Sequence, residues 1–445
     1  MKIDGGMPNG FVRGNVQLDA ATEDMIARRE KLLGPAYRLF YNRPLKLVRG
    51  EGVWAYDETG RKYLDAYNNV SSVGHAHPKV VEAIHRQSRM FECSMRYLHD
   101  SILAYAEQLL ATMPAGLDHL MLTCTGSEAN DLAYRLSKTY TGGTGVIITD
   151  FAYHGNTTSA SEFSPGLGPN FPLGVHVRTV TAPDTYRYGA ENVGALLEAG
   201  VRAAIADLKR HGIKPAMLIC DSIFASDGLF PTPAGFLKGA VDAIHEAGGL
   251  FVSDEVQPGF ARTGDAMWCF QRHSVTPDIV TMGKPMGNGY PVGGAVMRHA
   301  VVEDFGKRSR YFNTFAGNPV QAEAAKATLD VIQGEGLMAN AKMIGAYMEQ
   351  GLRQLQGKYA SIGDVRVGGC FAAVEFVTDA GTKTPDGVTA VSVVNGLREA
   401  GVLASASSPG QSVLKIRPPL CFGRENVDML IGKLDEVLTK LPATR

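Results

Sequence analysis

This chain lacks an excess of either charge: 44 Lys and Arg stand against 45 Asp and Glu, a net charge of −1. So even a balance gives no electrostatic footprint for nucleic acid or an anionic membrane surface. Small molecules and copies of the same chain are the expected partners. Cysteine is also scarce, with six residues at positions 93, 124, 220, 269, 370 and 421. None has C-x-x-C spacing, which argues against a zinc site or a disulfide framework. They read as reduced, mostly buried thiols of a cytoplasmic protein. No apolar run reaches the roughly 18 residues of a membrane span. The opening MKIDGGMPNGFVRG is polar and lacks the apolar centre of a signal peptide.

Glycine and apolar residues, by contrast, are plentiful. The 445 residues include 51 glycines and are 45% hydrophobic, enough for a large core and many tight turns. A chain of this length suits two domains, one of them discontinuous. Residues 1 to about 20 lack periodicity and are expected to form a flexible arm. A short helix over Ala21 to Leu33 should end at Gly34-Pro35, and Leu45 to Tyr67 alternates like a hairpin turning at Asp57 to Gly60. Pro78 opens a helix with Val80, Val81 and Ile84 on one apolar face. His75 and His77 before it have H-x-H spacing, but no third ligand is nearby and no metal is expected.

The stretch HLMLTCTGSEANDLAYRLSKTY reads as strand, turn and helix, with Ala129, Leu132, Ala133 and Leu136 as the helix's apolar face. Thr125, Gly126 and Ser127 put small residues at the helix N-terminus. Free backbone N–H groups there suit a phosphate, or Thr125 or Ser127 serves as an ordinary N-cap. A strand at Val146 to Thr149 leads to Tyr153, His154 and Gly155, where Tyr153 is placed to stack on a flat ring or to be a satisfied core tyrosine. Residues 161 to 190 are rich in Pro and Gly and read as a long loop. Helix then strand recur at Asn192 to His211, up to Asp221, and again from Gly235 to Val256, which implies a parallel sheet with right-handed crossovers.

The densest chemistry lies between Leu250 and Gly294. One β-branched apolar run ends on Asp254 and Glu255; a second ends at Met282, followed by Gly283 and Lys284. In open α/β sheets ligands sit at the carboxyl ends of strands, so Asp254 and Lys284 are placed to face one another across a small molecule, unless both are ordinary solvated loop residues. A lysine in a partly dry, glycine-lined pocket loses basicity and becomes a nucleophile toward carbonyls. The glycines of GNGYPVGG precede a strand and not a helix, so a dinucleotide-binding fingerprint is excluded.

DEVQPGFARTG, followed by Lys284 inside GKPMGNGYPVGG, resembles the class III aminotransferases, a pyridoxal-phosphate family. The likeness extends over TGSEA, YHG and TFAGNP and covers nearly the whole chain after residue 35. It implies an α/β fold of the type I pyridoxal-phosphate transferase kind, with a large domain around a mostly parallel sheet (76–330). A small α+β domain would come from both chain ends (1–75 and 331–445). It also implies roles: Lys284 as Schiff-base lysine and proton carrier, Asp254 at the pyridine nitrogen, Val256 against the ring and Gln257 on the ring hydroxyl. Tyr153 would cover the ring, and Gly126, Ser127 and Thr314 would hold the phosphate, Thr314 from the neighbouring subunit of a homodimer.

Departures from the family pattern concern the substrate. Asp221-Ser222 stands where many members have Glu-Pro, and Lys415 occupies the place of a mobile arginine, with Arg417 two residues on. Because side chains alternate along a strand, Lys415 and Arg417 should share a face. Either one or both simply cap the sheet edge, or with Asp221 they bind substrate, where Arg417 would offer a fork to a carboxylate or phosphate. MRYLHD, NNVSSVGHAHP and the LKIRPPLCF strand resemble the branch with alanine-glyoxylate aminotransferase 2-like proteins and the related phospho-lyases. Amino transfer from an amine or amino acid to an α-keto acid by a ping-pong course is the first expectation. Elimination of phosphate from a phosphorylated amino alcohol is the alternative.

Overall fold

The computed structural model describes residue 7 and residues 9–441, so most of the N-terminal arm's first eight residues lie outside it. The centre is a seven-stranded sheet of β1 (His119–Thr123), β2 (Gly145–Thr149), β3 (Val177–Val180), β4 (Pro215–Cys220), β5 (Leu250–Asp254), β6 (Ile279–Met282) and β7 (Gly293–Met297). Its spatial order is β1-β7-β6-β5-β4-β2-β3. Only β7 runs antiparallel to its neighbours; β6, β5, β4, β2 and β3 pair in parallel.

Every residue of β2, β4, β5, β6 and β7 is buried, which is why these strands read as unbroken apolar runs. Helices Val193–Arg210 and Lys238–Glu246 make crossovers between successive parallel strands. Parallel pairing carries the carboxyl ends of β2, β4, β5 and β6 to one edge of the sheet, and β1 ends there too. Asp221, Asp254 and Lys284 all leave the sheet at that edge.

Both chain ends meet in smaller sheets. Leu47–Glu51, Trp54–Asp57 and Lys62–Asp65 form an antiparallel meander, and Val402–Leu403 adds in parallel beside Lys62–Asp65. Ile362–Val367, Ala372–Asp379, Val413–Ile416 and Ser405–Ser407 form an antiparallel sheet, with Thr384–Pro385 on the far part of Ala372–Asp379. Helix Arg424–Lys440 closes the chain.

Several expectations need correction. The loop expected over 161–190 contains β3, a four-residue edge strand whose Val177 and Val180 are buried while Arg178 and Thr179 are not. So short an alternation inside a Pro/Gly-rich segment carries little pattern. In helix Pro78–Ser88 the buried face is Val80, Ala83 and Gln87, and Val81 is 51% exposed. The arm is also tied down from residue 9 onward: Gly10 bridges Phe40, and buried Asn9 accepts a hydrogen bond from Ser405 Oγ at 2.9 Å.

A candidate cofactor and substrate cavity

At the carboxyl edge of the sheet lies a cavity of about 360 Å³, lined by Gly126, Ser127, Asn130, Tyr153, His154, Asp221, Asp254, Val256, Gln257 and Lys284 among others. Six separate stretches of chain meet there. Lys284 follows Gly283, where the chain leaves β6 and enters a single tight turn, Lys284–Gly287. Burial, then the nearby Arg417 guanidinium, pushes the Lys284 amine down to about 8, against the pull of Asp254 and Asp221. A useful fraction of free amine therefore exists near neutrality.

Asp254 closes β5 and is buried. Its Oδ2 accepts from Asn130 Nδ2 at 2.9 Å and His154 Nδ1 at 2.8 Å, and its Oδ1 accepts from the Val256 amide at 3.0 Å. Neighbouring Glu255 points elsewhere. Its carboxylate takes the amides of Cys269 and Phe270 and the Ser253 hydroxyl, which anchors the following loop. Burial raises Glu255 to about 7.

Helix Gly126–Thr141 points its N-terminus at the cavity. Thr125 is its N-cap, accepting from the Glu128 amide at 3.1 Å, so its hydroxyl caps one amide of the first turn. Gly126 is required by contact. A Cβ there would lie 2.8 Å from Val256 Cγ2, and one on Gly283 would lie 2.9 Å from the Gly126 nitrogen. A Cβ on Gly155 would lie 2.8 Å from Ser127, whose Oγ accepts from the Asn156 amide at 3.3 Å. Tyr153 stands beside them, 38% exposed and free on its cavity side.

Lys415 and Arg417 do share a face: both are buried, and each lies 5.9 Å from the Phe371 ring. Neither is among the residues lining the cavity, but each reaches its edge. Arg417 donates to Gln257 Oε1 and stacks 4.6 Å over Tyr67, while its Nε is buried without a partner. Burial, then Arg417, drives Lys415 well below the ordinary lysine range, opposed by Asp221. Among the described residues neither cation has an ion-pair partner within 4.0 Å. Asp221 turns its oxygens to the amides of Ile223 (2.9 Å) and Ala225 (3.2 Å), and burial raises it to about 6.

Thr314 is exposed and does not line the cavity of its own chain. His75 holds Asp65 at 2.7 Å, and all six cysteines are free. Cys124 was read only as a buried thiol, yet it lines the cavity with its thiol pushed up by burial. Asn130 escaped the sequence reading altogether. The available signal was its spacing: four residues after Gly126, it shares that residue's face and is a polar group on a buried stripe.

This geometry matches a known family. The family model for aminotransferase class-III matches residues 40–438. The chain belongs to the class III aminotransferases. Such an enzyme works with pyridoxal 5'-phosphate, and the cavity fits it. A small-residue helix N-terminus suits a phosphate, a buried carboxylate suits a protonated ring nitrogen, and an amine of lowered basicity suits an aldehyde.

Among relatives of this aminotransferase, an alanine–glyoxylate aminotransferase 2-like protein of Drosophila melanogaster is 38% identical, over 95% of this chain and 88% of the relative. An ethanolamine-phosphate phospho-lyase homologue of Caenorhabditis elegans is 36% identical, over 97% of each. Among solved structures, a phospholyase from Arthrobacter, in complex with phosphoethanolamine, is 44% identical with a TM-score of 0.91. That match covers 94% of this chain and all of that one.

Proposed function

We propose that this class III enzyme moves an amino group from a primary amine or amino acid to an α-keto acid, the two substrates using one cavity in turn. The observation that carries the proposal is Lys284: an amine held near neutrality, in one cavity with the buried carboxylate of Asp254. When bound, pyridoxal phosphate supplies the aldehyde that captures the amine and the ring that takes up electrons. Lys284 would hold the cofactor through its amine and would move the proton at the substrate's α-carbon. Asp254 would hold the ring nitrogen's proton. Val256 and Tyr153 would hold the ring, and Gln257 would hydrogen-bond its hydroxyl. The first-turn amides at Gly126 and Ser127 would hold the phosphate.

We assign Thr314 to the phosphate of a partner subunit in a homodimer. Supporting this is an apolar surface of Met90, Phe91, Tyr97 and Leu98 with Phe312 and Phe315, all exposed in one chain. The Arg96 guanidinium, 3.7 Å from the Phe312 ring centre, joins the two segments into one patch. Patches of this kind mark interfaces. Among the described residues no helix is long and apolar enough to cross a membrane. Six free thiols suit the reducing cytoplasm. The boundaries near residues 75 and 330 divide a large cofactor-binding domain from a small one, in keeping with the sheet that joins Lys62–Asp65 to Val402–Leu403.

A second reading is favoured by one observation: among the described residues, Lys415 and Arg417 are buried basic side chains with no carboxylate within 4.0 Å. A buried unpaired charge is unfavourable and is relieved by an anion. A substrate phosphate would serve as well as a carboxylate, and the Arthrobacter neighbour is a phospholyase. The deciding experiment is a half-reaction without keto acid. An amino acid donor should convert the bound aldehyde to its amine form, and pyruvate or 2-oxoglutarate should reverse it. Common donors leaving the spectrum unchanged, while phosphoethanolamine releases phosphate and ammonia catalytically, would replace transfer by elimination.

A further inference from the structure

Asn130 holds more of the site together than any other side chain that does not itself present chemistry to a ligand. It is buried in the second turn of helix Gly126–Thr141. Its Nδ2 donates to Asp254 Oδ2 at 2.9 Å and to the His154 carbonyl at 2.6 Å. Its Oδ1 accepts from Thr281 Oγ1 at 2.6 Å. These three contacts fix which way the amide faces, because the reverse orientation would set its oxygen against two other oxygens. Thr281 is buried on β6, three residues before Lys284. One amide therefore joins the strand that delivers the amine, the strand that delivers the carboxylate, and the helix that points at the phosphate end.

The other donor to Asp254 is fixed as firmly. His154 gives its Nδ1 proton to Oδ2, and its amide donates to Ser164 Oγ at 2.9 Å. Its Nε2 is buried without a partner among the described residues. Oδ2 is thus filled by two side-chain donors, whereas Oδ1 accepts only the Val256 amide. A filled Oδ2 leaves Oδ1 to face the cavity.

We propose that Asn130, oriented by Thr281, is a positioning residue that turns Asp254 so that Oδ1 meets the ring nitrogen of the cofactor. This rests on the assignment of Asp254 to that nitrogen. Neither side chain presents a group for the chemistry: the amide of Asn130 is taken up by Asp254, His154 and Thr281. A charge-assisted hydrogen bond in a dry network is stronger than a neutral one, so its loss is felt at the nitrogen and not only in folding.

The test loads the enzyme with pyridoxal phosphate labelled with nitrogen-15 in the ring and follows the ring-nitrogen signal against pH. Four variants are compared: Asn130→Ala, Thr281→Val, Thr281→Ser and Asp254→Asn. Wild type and Thr281→Ser, which keeps the hydroxyl, should hold the nitrogen protonated through neutrality. Asn130→Ala should move its titration midpoint down by roughly one pH unit. In the same variant kcat should fall about tenfold with KM nearly unchanged. Thr281→Val should shift the signal in the same direction by less, and it decides the matter alone if Asn130→Ala does not fold. A folded Asn130→Ala or Thr281→Val that binds cofactor with an unmoved nitrogen signal overturns the proposal, provided Asp254→Asn moves it. If Asp254→Asn leaves the nitrogen protonated, the assignment of Asp254 has failed, and this proposal with it.

Discussion

Lys284 shows what burial does to one residue. The amine sits between a repelling guanidinium and two attracting carboxylates; desolvation, with the guanidinium beside it, outweighs the carboxylates and pushes the amine down to about 8. Capture of pyridoxal phosphate by cofactor-free protein should therefore quicken as pH rises toward 8 and level off above it. Arg417→Gln removes a positive neighbour, raises the Lys284 midpoint and slows capture at neutral pH; stopped-flow absorbance reads both. An unshifted midpoint would mean that Arg417 does not act on the amine. Borohydride reduction followed by peptide mass analysis should find the pyridoxyl group on Lys284 and on no other lysine. Asp254→Asn should keep the fold and lose turnover by roughly tenfold to a thousandfold, since a carboxylate beside a cation raises its pKa by about one to three units. Wild-type kcat in that variant would remove Asp254 from the reaction.

For the elements, the decisive feature is how closely they approach. Helix Gly126–Thr141 enters the site with its first residue against Val256 and its amide beside Gly283, so β5, β6 and the helix lock where no side chain intervenes. Gly126→Ala must push Val256 or the helix aside. The dissociation constant for pyridoxal phosphate should rise roughly tenfold, about 1.4 kcal/mol, while circular dichroism stays unchanged. Unaltered affinity would show that the helix end can move freely. The strand Val413–Ile416 acts in the opposite sense: its neighbours bury Lys415 and, just beyond, Arg417, and among the described residues bring no carboxylate within 4.0 Å of either. Lys415→Met should raise KM for an anionic donor more than tenfold and leave a neutral amine nearly unaffected, as initial rates on both will read.

For the whole molecule, one chain has an exposed apolar face and a Thr314 that stands clear of its own cavity. Leu98, 99% exposed, is the sharpest point on that face. Leu98→Asp should weaken self-association at least tenfold in sedimentation equilibrium, because burying a leucine contributes about 1.5–3 kcal/mol and an aspartate opposes burial. A Thr314→Ala chain mixed with a Lys284→Ala chain should form hybrids with one complete site, built from one chain's Lys284 and the other's Thr314. Mixtures no more active than either parent would end the assignment of a shared site.

The sequence by itself determined the parallel core and its order of elements. Buried parallel strands must be apolar throughout, and their crossovers must be helical, so β4, β5 and the helices between them are written in plain periodicity. It also located Lys284 and Asp254, because groups at strand ends follow apolar runs, and the likeness to the class III family named the chemistry they would do. Edge strand β3 was not legible, since four residues at a sheet margin need neither continuous burial nor clean alternation. Nor was Asn130, whose contacts lie 24, 124 and 151 positions away along the chain. Only the tertiary structure brought those partners together. It alone also left Lys415 and Arg417 buried without a counter-charge, because whether a charge is paired depends on which distant side chains fold against it.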